Sequence, residues 1–298
     1  MNSKKINIGV IGSGHLGQYH VKHYKNMNNI NFLGLHDSNP ERGNEIAKKY
    51  ETKYFENVSN LMEVCDGVSI VTPTESHYDV AKIALNEFCC NVFIEKPITE
   101  TISQADDLIK HAQKNNLIIQ VGHIERLNPA LKALEKYDIN PKFIDIQRLA
   151  PYTARGTDVP VVLDLMIHDI DILLSLVKSK VKSIHASGVS ILTNSVDIAH
   201  ARIRFENGTV SSVTASRVAK DKVRKIKIFQ DNLYSTIDLL LEQTEIYNIT
   251  KDSNLIENAL QAEPFPGDNE KKYIVYEKPK IKNYDSLREE LNNFVNSI

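Results

Sequence analysis

The chain has 298 residues, 42% of them hydrophobic, with 36 basic against 38 acidic side chains. That length accommodates two domains with separate cores, and the balanced charge offers no field for a polyanion, so nucleic acid is not an expected partner. No stretch approaches the ~18 consecutive apolar residues of a membrane span. Met1-Asn2-Ser3-Lys4-Lys5 leads into an apolar strand without a signal-type core. A cytoplasmic protein with no membrane partner is expected, and Cys65, Cys89 and Cys90, which form no CxxC pair, agree with a reducing compartment.

Residues 6–11 are short, apolar and β-branched, and Gly12-Ser13-Gly14-His15-Leu16-Gly17 follows at once. This pattern predicts a strand entering a tight turn that opens a helix over 18–26. In a dinucleotide unit Gly12 permits the turn, Gly14 admits the pyrophosphate, and Gly17 lets the helix pack against the strand. The helix N-terminus then favours the phosphates. A second apolar run, 31–36, ends in Asp37, twenty residues after Gly17. A carboxylate there accepts hydrogen bonds from adenosine ribose hydroxyls and repels a 2′-phosphate, which favours NAD, while nearby Arg42 keeps NADP possible. The bland alternative is a glycine-rich turn of another α/β protein.

Residues 67–71 read as a buried strand, followed by Thr72-Pro73-Thr74-Glu75-Ser76-His77 and a helix over 78–87. Ligands bind at the carboxyl ends of such strands, so Thr72, Pro73, Thr74 and His77 are expected beside the cofactor's ribose and nicotinamide. The strand 91–94 ends in Glu95-Lys96-Pro97, again at a carboxyl end. A lysine desolvated beside a cofactor can donate or share a proton near neutrality. A strand over 117–121 completes the first sheet.

After a boundary at 122/123, the pattern predicts a helix over 129–137 and strands over 143–149, 181–188, 197–205, 209–216, 225–230 and 234–238. Asn207-Gly208 is a hairpin turn. The run 220–225 reads as a solvated turn, with Arg217 and Lys222 able to reach a diphosphate. A helix from Pro160 to Val177 is apolar almost all round. At about 100° per residue, Asp164, His168 and Asp171 share a stripe about 60° wide, and Asp169 points away. Such a polar line fits a cleft with acid–base chemistry; a satisfied core pair and a metal site are the rivals.

The Gly12/Gly14/Gly17 pattern, Glu95-Lys96-Pro97 and Asp164-x-x-x-His168 together resemble the Gfo/Idh/MocA oxidoreductases over nearly the whole chain. The resemblance implies an α/β protein: an NAD(P)-binding Rossmann domain with a doubly wound parallel sheet over 1–122, and an α/β domain with an open, mostly antiparallel sheet over 123–298. It implies that Lys96 and His168 handle the proton and hydroxyl of a sugar or polyol while Asp164 orients the histidine. The second sheet is then a substrate wall and often an oligomer interface, with a homodimer or homotetramer expected. Family members usually continue past a helix like 286–295 into a further segment and a last helix that packs on the first domain, whereas this chain stops at Ile298.

Residues 121–129, 148–152 and 158–171 are similar to family members that oxidise C3 of the N-acetylglucosamine moiety of UDP-N-acetylglucosamine. That likeness implies a small sugar-nucleotide substrate contacted by Arg126, Asn128, Arg148, Tyr152, Arg155 and Asp171. Another sugar or polyol dehydrogenase, an NAD-dependent glycosidase and a non-catalytic NAD-binding regulator are the alternatives.

Overall fold

In the computed structural model, which describes residues 5–153, 159–267 and 271–298, packing divides the chain into two units. The first is Met1–Ile124 with Asp285–Ile298, and the second is Glu125–Tyr284. Among the described residues no helix is long and apolar enough to cross a membrane.

The first unit alternates strand and helix: β1 (Ile6–Ile11), α1 (Gly17–Lys25), β2 (Ile30–His36), α2 (Pro40–Lys49), α3 (Val58–Met62), β3 (Gly67–Ile70), α4 (Thr74–Asn86), β4 (Asn91–Glu95), α5 (Ile102–Asn115) and β5 (Ile119–Gly122). Its described strands form one parallel sheet in the order β2-β1-β3-β4-β5. Helices cover both faces, so Ile8, Val10, Val68, Ile70, Val92, Phe93 and Ile94 are all fully buried. This double burial is why the strands read as continuous apolar runs rather than alternating ones. α4 starts four residues before the expected position 78, with Glu75 in its first turn where the helix dipole favours a carboxylate.

The C-terminal helix, Ser286–Ser297, belongs to this unit. Leu287, Leu291, Phe294 and Val295 recur at helical spacing and are buried in one cluster with Ile8, Tyr24 and Phe93. Phe294 meets Phe93 edge-on at 5.8 Å between ring centroids. The Glu290 carboxylate accepts from the His123 N–H at 2.6 Å and its carbonyl from Gln120 Nε2 at 3.1 Å. The expectation of a single domain over 123–298 is corrected accordingly, because this helix buries its apolar face in the first unit's core.

In the second unit Asn128 caps a short α6 (Pro129–Lys132), which passes into a 3₁₀ turn, Ala133–Lys136. Then come β6 (Phe143–Leu149), a π turn (Val162–Met166) continuous with α7 (Ile167–Leu176), and β7 (Val181–Val189), β8 (Ile198–Phe205), β9 (Val210–Ser216), β10 (Val223–Gln230), β11 (Leu233–Asp238) and β12 (Gln243–Thr250). The unit ends with α8 (Ser253–Asn258), β13 (Gln261–Pro264) and β14 (Tyr273–Glu277). The described strands make a nine-stranded sheet in the order β13-β14-β12-β11-β10-β6-β9-β8-β7. β6 and β9 run parallel and every other neighbouring pair antiparallel. Asn207-Gly208 turns between β8 and β9, with Gly208 at φ +93°.

One face of this sheet is apolar core: Ile144, Ile146, Ala201, Val213, Ile226, Ile228 and Ile246 pack with Met166, Ile172 and Leu173. The opposite face carries an aromatic row across five strands, Phe143, Phe229, Tyr234, Tyr247 and Tyr276, with successive centroids 5.8, 4.8, 5.8 and 4.9 Å apart. Phe143, Phe229 and Tyr247 are exposed.

Candidate active site

Gly12 turns the chain at φ +92° and donates its N–H to the His36 carbonyl oxygen at 2.8 Å, fastening the loop to the end of β2. A Cβ on Gly17 would run into the Gly12 carbonyl oxygen, so α1 lies this close to the loop only with glycine there. At Gly14 the opposite holds. No heavy atom lies within 4 Å of where a Cβ would stand, and Gly14, His15 and Leu16 are exposed. No side chain caps α1, whose Gln18 and Tyr19 N–H groups donate to the Gly14 and Leu16 carbonyl oxygens at 3.2 and 2.9 Å, so the positive end of the helix dipole stays open to a ligand. The open space and this uncapped helix end fit a pyrophosphate.

Asp37 secures the same loop from β2. One carboxylate oxygen accepts from the Ser13 N–H at 2.6 Å and the Ser13 hydroxyl at 2.7 Å, and the other accepts from the Asn39 N–H at 2.8 Å. Burial pushes this carboxyl up, but the donated hydrogen bonds outweigh it and hold the pKa below the usual carboxylate value. Arg42 donates Nε to the Ser13 carbonyl at 3.2 Å and pairs Nη1 with Glu45 at 2.8 Å. A persistent carboxylate beside an already paired guanidinium favours a ribose with free hydroxyls over a 2′-phosphate.

Asp37→Ala is expected to weaken NAD binding about 10- to 100-fold by removing a charged acceptor, and to narrow the preference over NADP. Parallel titrations with both nucleotides check this, and an unchanged NAD affinity contradicts it. Because the folded pKa is lowered, what these bonds contribute to stability is present above the ordinary carboxylate pKa and is lost only as pH falls through the folded value.

Thr72 and Pro73 lie between β3 and α4, Thr74 begins α4, and Lys96 follows β4, all at carboxyl ends of the parallel strands. Lys96 is half-buried and its peptide bond to Pro97 is cis. His77 departs from the expectation of a cofactor contact. It sits inside α4, 1% exposed, with Nδ1 2.9 Å from the Pro97 carbonyl oxygen and Nε2 2.9 Å from the Thr72 carbonyl oxygen. Both neighbouring oxygens are acceptors, so the ring donates from whichever nitrogen carries hydrogen and faces the protein on both sides. Glu95 likewise turns one carboxylate oxygen to His20 Nε2 at 3.2 Å.

In the second unit Asp164 lies in the π turn, where the Ile167 N–H reaches back five residues to the Val162 carbonyl, and His168 lies in the first turn of α7. A π turn spends more residues per revolution than an α-helix, where i and i+4 are offset by about 40°, so it brings Asp164 closer to line with His168. Both are half-buried. The helix is less uniformly buried than its composition predicts, since Leu163 and Leu174 are exposed.

Arg148 is corrected as a substrate contact. It is buried, with Nε 2.9 Å from both Asp169 oxygens and Nη1 3.1 Å from Glu125, which also pairs with Arg224 at 2.9 Å. Burial works against the Arg148 charge, but Asp169 and Glu125 more than restore it. Asp169, read from the helical wheel as pointing away from function, is 1% exposed and central to this cluster. Asn128 is also spent on the fold: its Oδ1 accepts from the Ala130 N–H and its Nδ2 donates to the Leu239 carbonyl, both at 3.0 Å.

Asp171 receives a two-pronged bond from Arg126, Nε to Oδ2 and Nη2 to Oδ1, each 2.6 Å. Asp171 is buried, whereas the Arg126 side chain is 51% exposed. Arg217 is buried and donates to the Val159 carbonyl oxygen, holding the approach to the π turn rather than facing a diphosphate. Tyr152 is exposed. Arg155 lies outside the described residues.

A dinucleotide-fitting Rossmann unit joined to a sheet unit bearing an Asp-x-x-x-His pair defines the class as a nicotinamide-dependent oxidoreductase. Residues 6–123 match the model of the oxidoreductase family with an NAD-binding Rossmann fold, and residues 146–232 match the GFO/IDH/MocA C-terminal domain. A UDP-N-acetylglucosamine 3-dehydrogenase of Acidithiobacillus ferrooxidans is 38% identical over 241 residues, which cover 80% of this chain and 76% of that one. Its solved structure superposes with a TM-score of 0.86 at 33% identity, covering 99% of this chain and 89% of that chain. A myo-inositol 2-dehydrogenase of Thermotoga maritima is 25% identical over 80% of this chain and 79% of its own. The chain belongs to the Gfo/Idh/MocA family of oxidoreductases. It is an NAD(P)-dependent dehydrogenase acting on a CH–OH group.

Proposed function

We propose that the substrate is UDP-N-acetylglucosamine and that the C3 hydroxyl of its N-acetylglucosamine moiety is oxidised to the ketone. The observation that carries this reading is the 38% identity over 80% of the chain to an enzyme of that activity. Bound NAD supplies the hydride acceptor. His168 takes the hydroxyl proton, and Asp164 orients the imidazole and offsets the charge it gains. Lys96 donates a hydrogen bond to the reacting oxygen and stabilises its developing charge. Tyr152, Arg155 and the exposed side of Arg126 are the proposed substrate contacts, with Asp171 setting the plane of the Arg126 fork.

NADH formation should appear on mixing the protein with NAD and UDP-N-acetylglucosamine in the presence of a ketone trap. Free N-acetylglucosamine, glucose and myo-inositol should give none. Turnover of a free sugar or polyol alone would replace the substrate assignment, and NAD binding without turnover of any of them would favour a regulator.

We also propose that the chain self-associates through the aromatic face of the second sheet, a contiguous row that includes three exposed rings. Phe229→Glu is expected to shift sedimentation equilibrium from a dimer or tetramer to a smaller species while leaving the monomer folded. An unchanged mass would refute this surface.

A further inference from the structure

Lys96 is flanked in sequence by two residues that lie within hydrogen-bond reach of buried histidines. On its N-terminal side, the Glu95 carboxylate meets His20 Nε2 at 3.2 Å. His20 is fully buried in α1, packed edge-on against Phe93 at 5.4 Å and Tyr24 at 6.5 Å between ring centroids. On its C-terminal side, the Pro97 carbonyl oxygen meets His77 Nδ1 at 2.9 Å. His77 is 1% exposed in α4, and its other nitrogen meets the Thr72 carbonyl oxygen at 2.9 Å. Carbonyl oxygens only accept, so the ring donates from whichever nitrogen carries hydrogen.

The two helices matter as much as the two rings. α1 opens at the glycine loop, and α4 opens at the Thr72-Pro73-Thr74 loop. His20 therefore joins Glu95 to α1, and His77 lies in α4 within hydrogen-bond reach of both Pro97, beside Lys96, and Thr72, in the loop that opens α4. Buried polar groups held in such bonds resist displacement, because breaking a bond leaves a partner unsatisfied away from water.

We propose that His20 and His77 are positioning residues that bracket Lys96 and couple its placement to the two loops that receive the dinucleotide. The inference rests on the reading that Lys96 meets the reacting oxygen. It concerns what holds that lysine, not which substrate is oxidised.

The test compares His77→Leu with His77→Gln, and His20→Leu with His20→Gln, in the full chain. Two readouts are taken: steady-state kinetics with UDP-N-acetylglucosamine, and acetic anhydride labelling of Lys96 across pH in NAD-free protein, quantified by mass spectrometry against the other lysines. The leucine variants should lower kcat about 10- to 100-fold, the range expected for a misplaced catalytic group. Their KM for NAD should stay within about threefold. The pH profile of Lys96 labelling should shift while that of the remaining lysines stays put, and glutamine, which keeps a donor, should recover most of each loss.

Wild-type labelling and kcat in a folded leucine variant would overturn the bracket. So would kcat, KM and melting temperature moving together with glutamine no better than leucine, since that is what a packing role alone predicts. Should a leucine variant fail to fold, His77→Asn, polar but too short to reach both carbonyls, is held to the same criteria. If the wild-type protein does not oxidise UDP-N-acetylglucosamine, the substrate proposal fails, and the labelling still decides the bracket.

Discussion

Replacing His168 with alanine is expected to lower kcat about 10²- to 10⁴-fold, the usual worth of a positioned general base. NAD affinity should barely change, because the dinucleotide loop is built in the first unit from Gly12, Ser13, Gly14, Gly17 and Asp37, and His168 belongs to the second. The assignment rests on the Asp164/His168 pair and the π turn that carries Asp164. π turns inserted in α-helices recur at functional sites, where they re-aim a side chain that regular helix would point elsewhere. Measured NADH production and an independent NAD titration separate the two effects. An unaltered rate would remove His168 from the chemistry.

Arg148→Met is expected to act on stability instead. It leaves Asp169, 1% exposed, without the guanidinium that compensates it, and Glu125, 9% exposed, with Arg224 alone. Breaking a buried ion pair in this way costs about 3–5 kcal/mol, which in a domain of this size corresponds to a drop in melting temperature of about 6–20 °C. Thermal unfolding followed by circular dichroism checks the figure. A substrate-contact role, as the sequence suggests, predicts the reverse: an intact melting temperature and a raised KM for the sugar nucleotide.

Arg148 also shows where the chain was legible and where it was not. On β6, Ile144, Ile146 and Arg148 occupy alternate positions, so the two-residue period that buries the isoleucines buries the arginine as well. That two-residue period is written in the sequence beside a motif that suggests ligand binding. Asn128 carried a similar signal, since an asparagine before Pro129 is a helix cap before it is anything else. Asp169 is the converse case: regular helix geometry at about 100° per residue identifies its face, but says nothing of the arginine the sheet presents to that face.

The parallel sheet was readable because strands buried on both faces are short apolar runs that end in turn residues. β6 and β8 through β11 were readable because their buried positions alternate, whereas β7 is exposed along nearly all its length. β12, Gln-Thr-Glu-Ile-Tyr-Asn-Ile-Thr, has only two aliphatic residues, and β13 is wholly exposed, so neither stands out from a loop. The π turn left no mark in the sequence, since its registry is a property of backbone hydrogen bonds. The helix Ser286–Ser297 was recognisable by its spacing, but spacing does not say which core receives its apolar face. Near the loops, the motif singles out Lys96 while giving no hint that His20 and His77 lie against its neighbours, because those contacts join residues 75 and 20 positions apart.

The most direct test of the proposed activity uses UDP-N-acetylglucosamine carrying deuterium at C3 of the sugar, with NAD and the wild-type protein, followed by mass spectrometry of the nicotinamide product. Oxidation at C3 transfers the label, so the NADH formed should carry deuterium and the sugar nucleotide should become the 3-ketone. NADH free of deuterium would show that another carbon is oxidised, and recovery of fully labelled substrate with no NADH would contradict the proposed reaction itself.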